Sequence, residues 1–164
     1  MTQTFKFAIR EDLEDVAEKF LPQKAEPGST GWDVRAAPKN RKPINIKPGE
    51  YARIPLGFRA LPPEGWWYEL RPRSSTFAKK HLNCLYGVID NSYENEVLLA
   101  MQYIPDIHDL GKTLSIEFGD AIGQIIPIKL VDMEVVSVSN KDIDVLYKAR
   151  AGLRGTGGFG STSW

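Results

Sequence analysis

Residues 44–71 read INI-KPGE-YARIP-L-GFRA-LPPEG-WWYELR, four short apolar runs cut by proline–glycine turns. Lys47-Pro48-Gly49-Glu50 is a turn between the strands Ile44–Ile46 and Tyr51–Pro55. Leu61-Pro62-Pro63-Glu64-Gly65 is a second turn, between Gly57–Ala60 and Trp66–Arg71. None of these runs is long enough for a helix of ordinary length, and strands joined at such short intervals belong to a sandwich or barrel. The same rhythm extends outward. Phe5, Phe7 and Ile9 alternate as in a half-buried strand, and Trp32–Ala36, His81–Ile89, Glu96–Tyr103, Ala121–Ile128 and Met133–Val138 are further strands. Leu13, Val16, Ala17 and Phe20 recur at helical spacing, predicting one short helix ended by Pro22. With 11 prolines and 14 glycines the chain has little room for more helix, so the expectation is all-β with at most one short helix.

Composition narrows the partners. The 164 residues fit one domain with a substantial core, expected over 1–151, followed by a glycine-rich lid, 152–164. Lys+Arg and Asp+Glu both number 21, so no overall field draws nucleic acid or a membrane surface, and any anion site must be local. A single cysteine, Cys84, excludes an intrachain disulfide and fits a reducing compartment. The first residues carry no apolar signal region, and no apolar run is long enough to span a bilayer; the expected location is the cytoplasm.

Five segments carry chemistry. Gly28-Ser29-Thr30-Gly31-Trp32-Asp33 is a small-residue turn ending in an acid at a strand start. Arg71-Pro72-Arg73-Ser74-Ser75-Thr76 offers forked guanidinium donors and hydroxyls suited to phosphate oxygens. Gly87-Val88-Ile89-Asp90-Asn91-Ser92-Tyr93 reads as a β-hairpin turning near Asp90–Ser92, its aspartate able to orient and deprotonate a water. Phe118-Gly119-Asp120-Ala121-Ile122-Gly123-Gln124 leaves Gln124 as a polar group in an apolar run, in need of partners. The tail, GLRGTGGFGSTSW, interleaves Arg154, Phe159, Ser161 and Thr162 with glycines, as an anion-binding flap does. Each segment alone has an ordinary structural reading. Gly155–Gly160 matches G-x-G-x-x-G, but only four residues follow, too few for the helix a dinucleotide site requires. His81 and His108 lack metal-ligand spacing.

In this order the segments GSTGWDVRAA, RPRSST, YGVIDNSYENEV, FGDAIGQIIP and RGTGGFGST resemble the five motifs of the homotrimeric dUTPase family, over roughly residues 21 to 162. The resemblance implies a β jelly-roll subunit, a threefold assembly, and active sites at subunit interfaces that cleave dUTP to dUMP and pyrophosphate. Carried onto this chain, it makes Asp90 the group that activates the attacking water, and Gly87, Val88 and Ile89 the lining of the uracil pocket. Tyr93 would sit against the deoxyribose, leaving no room for a 2′-hydroxyl. Arg73, Ser74, Ser75 and Gln124 would grip phosphates, Phe159 would stack on uracil, and Arg154, Ser161 and Thr162 would hold the terminal phosphates. Mg²⁺ is implied, bound mainly through the triphosphate, with Asp33 as a water-mediated support.

The chain departs from the family pattern at several positions. Cys84 stands where Asn is frequent, Asn95 replaces a glycine, Ala121 an arginine, and Ser163-Trp164 the usual glycine ending; the 103–117 stretch is also longer than typical. Two other functions share parts of this reading. A dCTP deaminase has the same fold and a similar serine motif, but there an arginine soon follows the serines, where this chain has Thr76-Phe77-Ala78-Lys79-Lys80. A dUTP-responsive regulatory protein would use nucleotide as a signal and the 103–117 stretch as a contact surface for a protein partner.

Overall fold

The computed structural model describes residues 3–150, and the chain divides into two compact units, 1–131 and 132–164. All eleven strands lie in the first: β1 (Lys6–Ile9), β2 (Trp32–Arg35), β3 (Ile44–Ile46), β4 (Tyr51–Pro55), β5 (Phe58–Leu61), β6 (Trp66–Pro72), β7 (Leu82–Cys84), β8 (Gly87–Ile89), β9 (Leu98–Tyr103), β10 (Leu114–Ile116) and β11 (Ala121–Lys129). Every pairing among them is antiparallel. One sheet runs β2-β11-β6-β8, a second β4-β9-β7, and two ribbons pair β1 with β5 and β3 with β10. Period-two alternation sends Phe58, Tyr68, Leu70, Leu99, Met101, Ile116 and Ile125 into one core between the sheets, the arrangement of a jelly roll.

The central strand β11 carries two local devices. Its register with β2 shifts between Ala121 and Gly123, so Ile122 occupies a bulge and its carbonyl is released from the ladder. Pro127 pairs with Tyr68 of β6 at a level beyond Ile125, the last residue facing β2. Its missing N–H therefore falls where β11 has an open edge, the position at which a strand tolerates proline.

The structure is mostly strand, as the sequence implies, but it corrects several boundaries. Helix is not confined to the first short piece, α1 (Ala17–Phe20): α2 (Ser74–Lys80) and, in the second unit, α3 (Asn140–Ala149) are added. α2 has no apolar stripe to betray it; Phe77 is exposed and only Thr76 is fully buried. α3 begins at Ser139, whose hydroxyl accepts from the Asp142 amide (3.1 Å) and donates to the Asp142 carboxylate (2.6 Å). Met133–Val138 forms no strand, because an alternating apolar run is a strand only where another pairs with it. His81–Ile89 breaks into β7 and β8, with His81 left-handed (φ 52°) as the cap of α2. The 103–117 stretch contributes β10. β8 and β9 do not pair with each other: β8 joins β6, while β9 lies between β4 and β7. The segment around Asp90 is therefore a crossover between sheets and not a hairpin turn.

The Tyr68 hydroxyl is buried without a hydrogen-bond partner, packed against Phe5 (ring centroids 5.3 Å), and burial raises its pKa above the ordinary phenol value. Replacing an unpartnered buried hydroxyl by hydrogen removes a desolvation cost without removing a bond. Tyr68→Phe is therefore expected to leave unfolding free energy unchanged or raise it by up to about 1 kcal/mol in urea titration. A loss larger than that would mean the hydroxyl has a partner.

Candidate functional site

Three of the sequence segments meet in one place. β6 ends at Pro72, and the chain turns at Arg73 into α2, so Arg73, Ser74 and Ser75 sit at the strand-to-helix corner. β11 runs antiparallel between β6 and β2, bringing Gln124 level with Arg71 on one side and Asp33 on the other. The result is an open cavity of about 300 Å³ lined by Ala25, Ser29, Thr30, Gly31, Asp33, Arg73, Ser74 and Gln124.

Each polar side chain is held. Arg73 pairs through Nε with Asp33 Oδ1 at 3.2 Å, both groups partly exposed, which orients the guanidinium without burying it. Gln124 donates through Nε2 to the Pro72 carbonyl at 3.1 Å, leaving its amide oxygen toward Gly31. A Cβ on Gly31 would lie 2.3 Å from that oxygen, so a larger residue there would have to displace the Gln124 amide. The corner itself is fixed by the buried Thr76 hydroxyl, which donates to the bulged Ile122 carbonyl at 2.8 Å. At the other end of α2, Lys80 Nζ pairs with Asp120 Oδ2 at 2.8 Å, within the turn that leads into β11. Helix and strand are thus joined at two points, and what Arg73, Ser74 and Gln124 present is a set of polar groups around an open hollow. Forked guanidinium N–H groups and hydroxyls of this kind are chemically suited to a multiply charged anion.

Not every predicted residue joins this cavity. Ser75 is in the same turn but half-buried and outside the lining, and Arg71 turns away to pair with Glu69 (2.5 Å) and lie over Tyr86 (5.1 Å to the ring centroid). Gly87, Val88 and Ile89 form β8, opposite Leu70, Glu69 and Tyr68 of β6. Asp90 follows on the level of Trp67 and is exposed; Tyr93 is also exposed, its hydroxyl donating to the Glu96 carbonyl at 3.2 Å. Trp67 and Arg73 are six residues apart, so Asp90 and Arg73 of one chain are separated by about 20 Å along β6. Arg154, Phe159, Ser161 and Thr162 lie outside the described residues. Ser29 and Thr30 line the cavity without having been singled out for binding; two hydroxyls in a turn that ends at Asp33 were the available signal.

Metal and thiol chemistry have few supports. Among the described residues no group of three or more His, Cys, Asp or Glu stands ready to hold a metal ion. Asp33, the nearest carboxylate, is engaged by Arg73. Cys84 is buried and its thiol is pushed up to about 11 by desolvation, so it is not a nucleophile at neutral pH. No helix of the described residues is long and apolar enough to cross a membrane.

A model of the dUTPase family matches residues 17–163. The deoxyuridine 5′-triphosphate nucleotidohydrolase of Rhizobium leguminosarum bv. trifolii is 32% identical over 144 residues, which cover 87% of this chain and 84% of that one. The dUTPase of Staphylococcus bacteriophage 80alpha, solved with dUPNHPP, is similar in structure with a TM-score of 0.75 at 20% identity, covering 99% of this chain and 100% of its own. A dUTPase from phage phi11 of S. aureus, in which coordination of a structural Mg(II) ion was described, gives a TM-score of 0.67 at 20% identity over 84% of this chain and 97% of that one.

Thr76→Val keeps the volume of the side chain and leaves the Ile122 carbonyl buried without a donor. The expected loss is about 1–3 kcal/mol of unfolding free energy in denaturant titration. A neutral result would mean that the corner is held by packing alone.

Proposed function

The chain belongs to the dUTPase family, and from that we propose that it hydrolyses dUTP to dUMP and pyrophosphate in composite sites built by neighbouring subunits of a homotrimer. One observation carries the composite reading: the phosphate-suited cavity and the Asp90–Tyr93 segment sit at opposite ends of β6, about 20 Å apart. A water oriented by Asp90 lies within about 3 Å of its carboxylate. Asp90 and Arg73 of a single chain therefore do not serve the same phosphate group. Threefold repetition of the subunit resolves this, placing the Gly87–Tyr93 segment of one copy over the Asp33–Arg73–Ser74–Gln124 cavity of the next.

In that arrangement, Asp90 orients a water toward the α-phosphorus and takes its proton as the oxygen–phosphorus bond forms. The bond from the α-phosphorus to the bridging oxygen breaks, and pyrophosphate leaves with the electron pair. Arg73, Ser74, Ser75 and Gln124 donate to phosphate oxygens whose charge the reaction redistributes. The backbone of Gly87, Val88 and Ile89 reads the uracil edge, and the Tyr93 ring closes the space a 2′-hydroxyl would need. Arg154, Phe159, Ser161 and Thr162 close the site over the nucleotide and exclude bulk water.

Mg²⁺ would be held mainly through the oxygens of the substrate triphosphate and water, with Asp33, at the edge of the cavity, supporting it through water. Bound there, the ion neutralises phosphate charge. Dependence on Mg²⁺ and a location in the cytoplasm belong to the same reading.

Pyrophosphate release should be seen with dUTP in preference to dCTP, dTTP, dATP, dGTP and UTP, and be lost on chelation; ammonia release from dCTP would instead identify a deaminase. Asp90→Asn should retain nucleotide binding and lose activity by about 10²–10⁴-fold. Arg73→Ala should also be inactive at ordinary substrate concentrations. Refolding the two variants together should restore about one quarter of wild-type activity, since one site in four then receives an intact Asp90 from one copy and an intact Arg73 from another. Mixtures as inactive as the separate variants would place both residues in a single-chain site.

A further inference from the structure

The segment that bears Asp90 and Tyr93 is poorly held by its own backbone. β8 ends at Ile89, β9 begins at Leu98, and the two belong to different sheets. Outside the ladders, the main chain from Asp90 to Glu96 makes one hydrogen bond to itself, Tyr93 N–H to the Asp90 carbonyl at 3.1 Å. Only at Val97 is it tied across, donating to the Phe58 carbonyl at 2.9 Å and accepting from Leu56 N–H at 3.1 Å. A crossover of this kind would wander unless side chains fixed it.

Two side chains do so, one near each end. Asn91, the neighbour of Asp90, is half-buried, and its Nδ2 faces three carbonyls of one turn: Trp66 at 2.9 Å, Pro63 at 3.1 Å and Pro62 at 3.5 Å. An amide has two hydrogens, so the three acceptors share them and hold the nitrogen from several directions. That turn opens β6, the strand that leads to the corner at Arg73. At the other end, Glu96 Oε1 accepts from Arg10 Nη1 at 2.6 Å and from the Gly57 amide at 3.0 Å. Arg10 is itself held, donating to Asp12 through Nε (2.6 Å) and Nη2 (3.0 Å) and to the Ala37 carbonyl through Nη2 (3.0 Å). Its pKa is raised, the Asp12 hydrogen bond contributing most. Gly57 admits no side chain: its φ is 77°, and a Cβ would lie 2.4 Å from Leu13 Cδ1. The Glu96 carbonyl in turn accepts the Tyr93 hydroxyl at 3.2 Å.

We propose that Asn91 and Glu96 are positioning residues with separate duties: Asn91 fixes the carboxylate of Asp90 toward its water, and Glu96, clamped by Arg10, fixes the Tyr93 ring and with it discrimination against a 2′-hydroxyl. The inference rests on the reading that Asp90 and Tyr93 face dUTP. The duties divide because the two anchors, one beside Asp90 and one beyond Tyr93, tie the segment to different parts of the fold. Asn91 bonds the turn before β6, and Glu96 bonds the start of β5 and the chain around Arg10. Neither touches the nucleotide in this scheme; each acts through its neighbour. A misplacement of about 1 Å in a reacting group costs on the order of 10²-fold in rate, so a loosened Asp90 shows in kcat. A loosened Tyr93 shows in selectivity.

The test is steady-state kinetics with dUTP and UTP on the full chain, together with the Kd of a non-hydrolysable dUTP analogue, for the wild type and four variants. Asn91→Ala should lower kcat for dUTP about 10²-fold, with KM and analogue Kd within about threefold and the dUTP-over-UTP preference kept. Asn91→Asp, which keeps the shape and removes both donors, should do the same and serves if the alanine variant does not fold. Glu96→Ala should narrow the dUTP-over-UTP ratio of kcat/KM by about tenfold. Glu96→Gln, whose amide oxygen still accepts from Arg10 and Gly57, should recover most of that preference. A kcat within about threefold of wild type for both Asn91 variants, or equal effects of Asn91 and Glu96 variants on rate and selectivity, would overturn the division of duties. A wild-type chain that does not turn over dUTP would overturn the function itself, and the inference with it.

Discussion

The bond from the Thr76 hydroxyl to the Ile122 carbonyl is the constraint from which the rest of the site follows. It joins the helix that begins at Arg73 to the strand that carries Gln124, and it exists only because β11 bulges at Ile122 and frees a carbonyl. The Lys80–Asp120 pair closes the far end of the same helix against the same strand. Buried and neutral, the Thr76 bond is costly to leave unmade; the partly exposed ion pair contributes less and mainly fixes direction. A seven-residue helix is too short to be stable alone, so these two ties decide where Arg73 and Ser74 stand.

The cavity's polar lining is dominated by neutral and basic groups. A triphosphate brings its own negative charge, and a binding surface for it needs donors held apart from bulk water more than it needs acids. Asp33 serves as a counterpart to Arg73, at 3.2 Å, and holds the guanidinium at the rim of the hollow. The acid proposed for water activation belongs to the other end of β6, where it is exposed in the single chain. In the proposed trimer, dividing the machinery in this way makes assembly a condition of chemistry.

Much of this was legible in the sequence, and the parts that were not have physical reasons. The strands between residues 44 and 71 announced themselves because each turn carries proline or glycine and each run has one dry face. The meeting of the Gly28–Asp33, Arg71–Thr76 and Phe118–Gln124 segments was implied only by family resemblance, since β2, β6 and β11 are distant in sequence and nothing local records their pairing. α2 was hidden because its one buried side chain, Thr76, gives no period. α3 was not hidden: Ser139 and Asp142 form a capping box, and Ile143, Leu146 and Tyr147 follow at helical spacing. The strand expected just before it, Met133–Val138, drew attention away. Asp90 was read as a hairpin tip because apolar runs flank it, yet a sequence cannot say whether two flanking runs pair with each other or with third parties.

β6 has a role beyond packing. It lies between β8 and β11, so one strand of seven residues spans the interval from the Gly87–Ile89 strand to the corner at Arg73. It works as a ruler. Inserting or removing a single residue would turn Arg73 to the opposite face of the sheet, because side chains alternate with a period of two. Changing it by two would keep the face but shift the span by roughly 7 Å. Loops elsewhere in such a fold can lengthen freely, whereas the length of this one strand fixes how far apart a single chain holds its Gly87–Tyr93 segment and its Arg73 corner.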